Sequence, residues 1–232
     1  MHPFKVILWD IDGTLLDFHK AEAAAIHTLF QKFGLGECTD EMLSAYKAIN
    51  LVYWQKLERG ELTKPQVLIG RFLDFFAAYG LNTDCAAAFN DAYQLALGDT
   101  VHYFDGAWET VQAMKGKILQ CAVTNGTAVA QHKKLVTSGL DQIFDHVFIS
   151  DEIGIEKPNI GFFDAVWAKI GHYHPDDVLI VGDSLTSDIK GGNNAGIRTC
   201  WFNPQGAPQP SDLRIDYDIR EIAQLMQICN LS

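Results

Sequence analysis

Short apolar runs that end abruptly in polar residues recur along this chain. Five of these runs predict β-strands, at 4–10 (FKVILWD), 120–125 (QCAVTN), 146–150 (HVFIS), 176–183 (DDVLIVGD) and 198–203 (RTCWFN). Segments between them, such as AWETVQAMKG and AVAQHKKLVTSG, show the spacing of amphipathic helices. Continuous apolar strands that alternate with helices are typical of βαβ units, whose parallel sheet is covered on both faces. The pattern therefore predicts an α/β fold with a doubly wound, mainly parallel sheet.

Residues 18–100 interrupt this alternation. The segment shows helical spacing throughout and predicts four amphipathic helices, HKAEAAAIHTLFQKFG, DEMLSAYKAINLVYWQKLERG, KPQVLIGRFLDFFAAYG and CAAAFNDAYQLALG. Each of them closes on a glycine, which is a common helix-stop residue. We therefore expect a core domain formed by 1–17 and 101–232, with an inserted all-helical cap domain formed by 18–100.

Composition and charge narrow the classes of partner. Of 232 residues, 18 are Lys or Arg and 29 are Asp or Glu, so the formal net charge is −11. This charge argues against binding to a nucleic-acid backbone or to an anionic membrane surface. The N-terminus does not resemble a signal peptide, and no apolar run approaches the roughly 20 residues that span a bilayer. The five scattered cysteines lack CxxC spacing and predict reduced thiols in a cytoplasmic protein.

Polar side chains end the predicted core strands or follow closely behind them. In open parallel sheets, ligands bind in the crevice beyond the carboxyl ends of the strands. The polar residues expected to meet there are Asp10, Asp12, Thr124, Asn125, Lys157, Asp183 and Asp188. Each one alone has an ordinary explanation as a turn, a cap or a surface residue. Their shared location at the ends of strands is what indicates a ligand site.

The acidic residues of this set predict a cation. Two carboxylates about 4 Å apart repel by roughly 4 kcal/mol at an effective dielectric constant near 20. Lys157 alone cannot offset Asp10, Asp183 and Asp188, whereas a divalent cation can. Oxygen ligands without histidine or cysteine favour Mg²⁺ over zinc. We therefore expect Mg²⁺ as the cofactor.

A magnesium ion beside Lys157 and Thr124 indicates phosphate as the ligand, because phosphoryl transfer depends mostly on charge neutralisation and positioning. Asp10 is then placed to attack phosphorus and form an aspartyl-phosphate. Asp12, two residues further on, can protonate the leaving alcohol and later deprotonate water. The chain lacks the glycine-rich motifs of ATP-binding and dinucleotide-binding loops. A small phosphomonoester is thus the expected partner.

Four segments in order resemble the motifs of the haloacid dehalogenase superfamily of phosphohydrolases. They are DIDGT (10–14), VTNG (123–126), EKPN (156–159) and GDSLTSD (182–188). The resemblance spans essentially the whole chain and implies a Rossmann-like catalytic core. Dehalogenases of the superfamily lack an aspartate at the position of Asp12, so the resemblance implies a phosphatase.

The resemblance also implies a role for each motif residue. Asp10 would be the nucleophile and Asp12 the general acid and base. Mg²⁺ would be held by Asp10, Asp183 and the backbone carbonyl of Asp12, with Asp188 in support of the metal's waters or of Lys157. The phosphate would be bound by Thr124, Asn125 and Lys157.

The helical insertion is similar to that of the pyrimidine 5′-nucleotidases of bacteria, in AINLVYWQKLERGELT followed by GRFLDFF, and SDEIGIEKPN matches them too. This similarity implies hydrolysis of nucleoside monophosphates such as UMP, dUMP and dTMP. Trp54 is then a candidate to stack on the base, with Asn50 or Arg71 bonded to its polar edge. The alternative is that these residues, like Tyr53 and Phe72, pack between helices while Arg71 extends its head to solvent.

Two other functions remain open from the sequence. A related phosphatase could act on a sugar phosphate or on phosphoglycolate with the same chemistry. A signalling domain phosphorylated on aspartate also combines acids, Mg²⁺, a hydroxyl and a lysine. Asp12 and the helical insertion argue against the signalling domain, because receiver domains lack both. The chain could be a monomer or a homodimer.

Overall fold

The computed structural model describes residues 3–231, and within this range six strands form a parallel sheet. The strands are β1 Val6–Trp9, β2 Leu119–Thr124, β3 His146–Ile149, β4 Val178–Gly182, β5 Arg198–Phe202 and β6 Tyr217–Ile219. Hydrogen-bonded neighbours follow the order β3-β2-β1-β4-β5-β6. All five predicted strands are present, and β6 was not predicted because three residues are too short to show a pattern. The prediction of a doubly wound, parallel α/β core is confirmed.

Ten α-helices lie within the described residues. They are α1 Phe18–Lys32, α2 Asp40–Glu58, α3 Lys64–Ala78, α4 Ala86–Ala96, α5 Ala107–Met114, α6 Ala128–Ser138, α7 Ser150–Ile153, α8 Ile160–Ile170, α9 Lys190–Asn194 and α10 Gln224–Ile228. Short 3₁₀ turns occur at Thr83–Cys85, Leu140–Gln142 and Pro175–Asp177, and a π turn at Leu185–Ile189 precedes α9. The short helices α7 and α10 were not predicted. None of the described helices combines the length and the apolar character needed to cross a membrane.

The sheet buries both of its faces. Along β1 the side chains alternate, so that Ile7 and Trp9 join one apolar cluster while Val6 and Leu8 join another. Residues of α5, α6 and α10 pack in the first cluster, and residues of α8 pack in the second. Burial on both faces explains why the strands read as continuous apolar runs.

The chain divides into two compact units. The first contains the chain up to Phe18 together with Val101 onward, and the second is His19–Thr100. Aromatic rings dominate the interior of the second, helical unit, where Phe72 stacks on Tyr46 at 5.1 Å and meets Phe89 edge-on at 5.0 Å. Hydrogen bonds of Thr39 and Thr63 cap the N-termini of α2 and α3.

Candidate active site

The acidic side chains lie where the strand order reverses. Asp10 directly follows β1 and Asp183 directly follows β4, and these neighbouring strands pair with Trp9 opposite Val181. Strands β2 and β3 extend the sheet on one side of this pair, and β5 and β6 extend it on the other. In such sheets the crevice at the switch point is the usual ligand site. The topology thus joins two acids that are far apart in the sequence.

A cluster of carboxylates forms at this point. Asp10, Asp183 and Asp188 each place an oxygen within 4.8 Å of the other two. Lys157 is buried among them, and its Nζ donates to Oδ1 of Asp10 at 3.0 Å and to Oδ1 of Asp188 at 2.6 Å. Its remaining N–H donates to the carbonyl oxygen of Val123 at 2.6 Å. The structure therefore brings together four of the residues that the sequence analysis selected.

The negative charge of this cluster exceeds the positive charge of Lys157. Burial and the charge of Asp188 raise the pKa of Asp10 from 3.8 to about 7, although Lys157 opposes the rise. Asp183 keeps an exposed side chain, yet the surrounding protein and the charges of Asp10 and Asp188 raise its pKa well above the ordinary value. Burial alone would lower the pKa of Lys157, but Asp10 and Asp188 hold it above its ordinary value. The carboxylates of Asp10 and Asp183 are thus destabilised in their charged forms.

In the turn after β1, Thr14 contacts the carboxylates of Asp10 and Asp183, and Gly13 leaves room for the Asp183 carboxylate. The Thr14 hydroxyl lies 3.1 Å from Oδ2 of Asp10 and 3.2 Å from Oδ1 of Asp183. The same oxygen accepts a hydrogen bond from the Asp183 backbone N–H at 3.0 Å. Gly13 has a φ of +92°, and a Cβ at this position would come within 2.6 Å of the Asp183 carboxylate. The DIDGT motif therefore supplies two acids, Asp10 and Asp12, and also leaves space for the carboxylate of Asp183.

Asp12, predicted as the general acid and base, is held by two residues that the sequence analysis did not select. Lys134 Nζ donates to both carboxylate oxygens at 2.7 Å, and Gln131 Nε2 donates to Oδ2 at 2.7 Å. Both residues lie on α6, three positions apart and therefore on one face of the helix. In the sequence, the available signal for these residues was that Gln131 and Lys134 lie close to Leu135, which is buried. The catalytic role of Asp12 stays a prediction.

Of the two residues after β2 that are predicted to bind phosphate, Asn125 supports the loop that carries Lys157, and Thr124 bonds within its own turn. Asn125 Nδ2 donates to the Lys157 carbonyl at 2.9 Å, and its Oδ1 accepts from the Lys157 backbone N–H at 2.8 Å. The Thr124 hydroxyl oxygen accepts from the Gly126 N–H at 3.1 Å, which leaves its own proton to be donated. Asn125 thus positions Lys157, and a direct contact of either residue with phosphate stays a prediction.

In the helical unit, the three candidate substrate contacts have different surroundings. Arg71 is 1% exposed, so the part of the alternative in which its head reaches solvent is wrong. Its Nη1 donates to Oδ1 of Asn50 at 2.8 Å, and Asn50 Nδ2 donates to Glu22 at 3.2 Å. The amide oxygens of Asn50 and Asn90 thus accept hydrogen bonds from the buried guanidinium group, and the carboxylate of Glu22 is joined to it through Asn50. Trp54 is half-buried. Contacts of these three residues with a substrate stay predictions.

Comparison with known proteins identifies the class of this fold and site. The family model described as haloacid dehalogenase-like hydrolase matches residues 7–202. The chain therefore belongs to the haloacid dehalogenase-like hydrolase family, and the predicted resemblance is confirmed.

Similar full-length proteins refine this assignment. YfnB of Bacillus subtilis is 35% identical, and its magnesium-bound crystal structure, described as revealing interdomain movement, superposes with a TM-score of 0.92 over 98% of this chain and 99% of that one. The pyrimidine 5′-nucleotidase PynA of Streptococcus pneumoniae is 31% identical over 96% of this chain and 94% of its own length. A glyceraldehyde 3-phosphate phosphatase of Pyrococcus furiosus is 30% identical over 98% and 94%. The activities of these relatives support a phosphatase.

Proposed function

We propose that this protein is a Mg²⁺-dependent phosphomonoesterase that forms an aspartyl-phosphate on Asp10, with pyrimidine nucleoside monophosphates as its substrates. The observation that carries the proposal is the excess of negative charge around the buried Asp10. A carboxylate cluster that its lysine cannot neutralise favours a divalent cation, and the cation in turn favours a phosphate ester. The phosphatase relatives support the same reaction.

The donor set of the cluster fits Mg²⁺. Asp10 and Asp183 offer hard oxygen ligands, and the Asp12 backbone carbonyl is the third proposed protein ligand. Asp188 has both oxygens engaged, Oδ1 by Lys157 and Oδ2 by the Ser184 backbone N–H at 3.1 Å, so we assign it a supporting role. Burial and the charge of Asp188 raise the pKa of Asp10, and a bound cation would offset both effects. When bound, the metal neutralises these carboxylates and the phosphoryl oxygens.

The reaction proceeds in two steps on side chains of this chain. In the first step an oxygen of Asp10 forms a bond to phosphorus, while the bond from phosphorus to the ester oxygen breaks. Asp12 gives its proton to the departing alkoxide, so that a neutral alcohol leaves. In the second step Asp12 removes a proton from water, whose oxygen attacks phosphorus and releases inorganic phosphate and the Asp10 carboxylate.

Lys157 and Thr124 prepare the site for the incoming phosphate. The hydrogen bond from Lys157 to Oδ1 of Asp10 restrains the nucleophile, and the same ammonium charge reduces the repulsion between the carboxylates and an anionic ester. The Thr124 hydroxyl lies at the end of β2 with a proton to donate to a phosphoryl oxygen. Asn125 keeps Lys157 in place through its backbone.

Two substrate classes have support from relatives. PynA favours a pyrimidine nucleotide, in agreement with the similarity of the helical segment. The Pyrococcus phosphatase favours a sugar phosphate as the second candidate, with unchanged chemistry. The hydrolase family favours both over a phospho-aspartate signalling domain. Cytoplasmic location, and the choice between monomer and homodimer, stay predictions.

A substrate panel tests this proposal. Phosphate release is measured with UMP, dUMP, dTMP, AMP, glyceraldehyde 3-phosphate and phosphoglycolate, in Mg²⁺ and in EDTA. We expect activity in Mg²⁺ alone, with kcat/KM for the pyrimidine nucleotides at least about 10-fold above that for the sugar phosphates, which corresponds to about 1.4 kcal/mol of discrimination. A higher kcat/KM for glyceraldehyde 3-phosphate would replace the substrate class but keep the chemistry. Full activity in EDTA would refute the metal requirement.

A further inference from the structure

A lysine and a glutamine of α6 converge on Asp12, and the proposed chemistry has not used them. Lys134 Nζ lies 2.7 Å from Oδ1 and 2.7 Å from Oδ2 of Asp12, and Gln131 Nε2 lies 2.7 Å from Oδ2. The three contacts bracket the carboxylate from the side of one helix. A side chain held by three donors has a defined orientation, which a carboxylate in a turn otherwise lacks.

The environment of Lys134 makes this contact more than a surface ion pair. Its side chain is 3% exposed, while that of Asp12 is 23% exposed. The ammonium group also lies over the ring of Phe18, 5.0 Å from the centroid. A buried ammonium group needs a carboxylate partner, whereas a partly exposed carboxylate can be solvated without one. The lysine is thus built into the fold at the place where it can hold Asp12.

The amide of Gln131 is oriented by Asp12. Its Oε1 is buried and, among the residues that the structure describes, meets no hydrogen-bond donor. The opposite orientation of the amide would place this oxygen against the Asp12 carboxylate, which would repel it. The amide passes directly over Gly126, where a Cβ would lie 2.3 Å from Nε2. The glycine of the VTNG motif therefore leaves room for Gln131 to reach Asp12.

We propose that Lys134 and Gln131 are positioning residues, which hold the Asp12 carboxylate in the orientation that serves both proton transfers. The inference rests on the proposed function, because it assigns these residues to an acid and base that only that function requires. A carboxylate has about four lone-pair sites, and the three contacts use two on Oδ2 and one on Oδ1. Oδ1 therefore keeps a site for the proton that passes to the alcohol or comes from water.

The nature of the leaving group separates this role from a structural one. An alkyl ester such as UMP needs a proton on its ester oxygen when the bond to phosphorus breaks, whereas p-nitrophenolate leaves without one. The value of kcat/KM reports the steps through transfer to Asp10. The value of kcat also includes hydrolysis of the aspartyl-phosphate, in which Asp12 acts as the base. A misplaced Asp12 thus has a kinetic signature that a loss of folded protein cannot imitate.

Lys134→Met is the principal variant, with UMP and p-nitrophenyl phosphate as substrates. We expect kcat/KM for UMP to fall about 50-fold, within the range of acid–base contributions, and kcat/KM for p-nitrophenyl phosphate to change less than about 3-fold. For p-nitrophenyl phosphate kcat should fall and a burst of p-nitrophenolate should precede the steady state. Lys134→Arg, which keeps the charge and the donors, should recover most of the UMP activity.

Gln131→Leu protects the test against misfolding. The substitution removes the buried oxygen that lacks a donor together with the amide that holds Asp12, so the melting temperature should not fall. We expect a loss of about 5-fold in kcat/KM for UMP with little change for p-nitrophenyl phosphate. Lys169→Met, at an exposed lysine of α8, is the matched control and should leave both values unchanged.

The outcomes distinguish this inference from the proposed function. Equal losses on the two substrates, no change, or a gain on UMP would overturn the positioning role while the phosphatase activity of the wild type stands. A wild type that hydrolyses neither ester would overturn both. If the wild type cleaves only p-nitrophenyl phosphate and another alkyl ester, that ester replaces UMP in the comparison. A crystal structure of Lys134→Met should show the Asp12 carboxylate rotated, and an unmoved carboxylate would contradict the inference.

Discussion

Polar side chains, most of them buried, gather in each of the two units, and the two clusters differ in charge balance. In the core unit, the carboxylates of Asp10, Asp183 and Asp188 meet the ammonium group of Lys157. In the helical unit, one carboxylate and one guanidinium group are joined by neutral partners, and the cluster comprises Glu22, Asn50, Arg71, Asn90 and Tyr93. The first cluster carries excess negative charge, whereas the second is neutral overall.

The helical cluster balances its charges, although Oε2 of Glu22 has no hydrogen-bond partner among the described residues. Oε1 of Glu22 accepts hydrogen bonds from Asn50 Nδ2 and from the Tyr93 hydroxyl, both at 3.2 Å. Arg71 donates to Asn50 and Asn90, and its guanidinium carbon lies 5.1 Å from the centroid of the Tyr93 ring. A balanced network of this kind needs no ligand to offset its charge, whereas an unbalanced one is stabilised by a proton or a cation. The comparison teaches that charge balance, rather than burial of polar groups, distinguishes the proposed active site from the cluster in the helical unit.

Asp10→Asn should have the largest effect, because it should abolish most of the activity without lowering the melting temperature. We expect kcat to fall by about 10⁴-fold or more, because the proposed nucleophile is lost. In EDTA at pH 8 the melting temperature should stay equal or rise, because the substitution removes a carboxylate whose charged form is destabilised. Phosphate release and thermal unfolding measure the two effects.

Asp164→Asn is the matched control for this substitution, since Asp164 is exposed on α8. It should change neither kcat nor the melting temperature. An Asp10→Asn protein that retains turnover would show that another group attacks phosphorus. One that melts well below the wild type would show that the acid cluster is balanced after all.

In the helical unit, Arg71→Met should lower stability, whereas Asp10→Asn in the core unit should not. Removal of the guanidinium group leaves the buried carboxylate of Glu22 without a compensating charge, and we expect a loss of about 3 kcal/mol in the free energy of unfolding. Urea unfolding followed by circular dichroism measures this loss. A second substitution, Glu22→Gln in the Arg71→Met protein, should recover part of it, because the uncompensated charge is then removed.

Arg59→Met tests whether the loss of stability expected for Arg71→Met depends on the burial of the arginine. Arg59 pairs with Glu61 in the same unit, but both side chains are about half exposed. Its removal should leave the unfolding midpoint close to that of the wild type, because water replaces the partner. A similar loss for Arg59→Met and Arg71→Met would mean that the helical unit is sensitive to any lost charge, and the comparison with the core cluster would fail.

The acid cluster could be predicted from the sequence, whereas the side chains that hold the Asp12 carboxylate could not. Asp10 and Asp183 follow apolar runs that read as strands, and parallel strands bring their carboxyl ends to one edge. Contact between Lys134 and Asp12 joins residues 122 positions apart and depends on which face of α6 turns toward β1. The pattern predicted the helix, but helical spacing does not specify the atoms that a polar side chain on that helix reaches.

Whether the guanidinium group of Arg71 is exposed or buried could also not be predicted from the sequence. An arginine on an amphipathic helix can extend its head to solvent or bury it, since its long stem packs in either case. The outcome depended on Asn50 and Asn90, which come from α2 and α4. Such partners are chosen by the packing of helices, which a pattern along one segment does not contain. The short strand β6 escaped prediction for a simpler reason, since three residues carry no periodicity.

The last effect concerns the pH dependence of stability, and it should appear in the core cluster alone. The pKa of Asp10 is about 7 in the folded chain against 3.8 ordinarily, so the folded state binds its proton more tightly than the unfolded state. Its contribution to stability is fully present below pH 4 and is lost as the pH rises through 7. In EDTA we expect the free energy of unfolding to fall by about 2 kcal/mol between pH 5 and pH 8.

Tryptophan fluorescence can assign this change to the core. Of the five tryptophans, Trp54 is the one in the helical unit, so a Trp54→Phe protein reports the unfolding of the core unit. Mg²⁺ should restore stability at pH 8 and have less effect at pH 5, because protons compete with the metal for the carboxylates. Asp10→Asn should reduce both dependences. A core whose stability is level from pH 5 to pH 8, with or without Mg²⁺, would show that its carboxylates are as well compensated as Glu22.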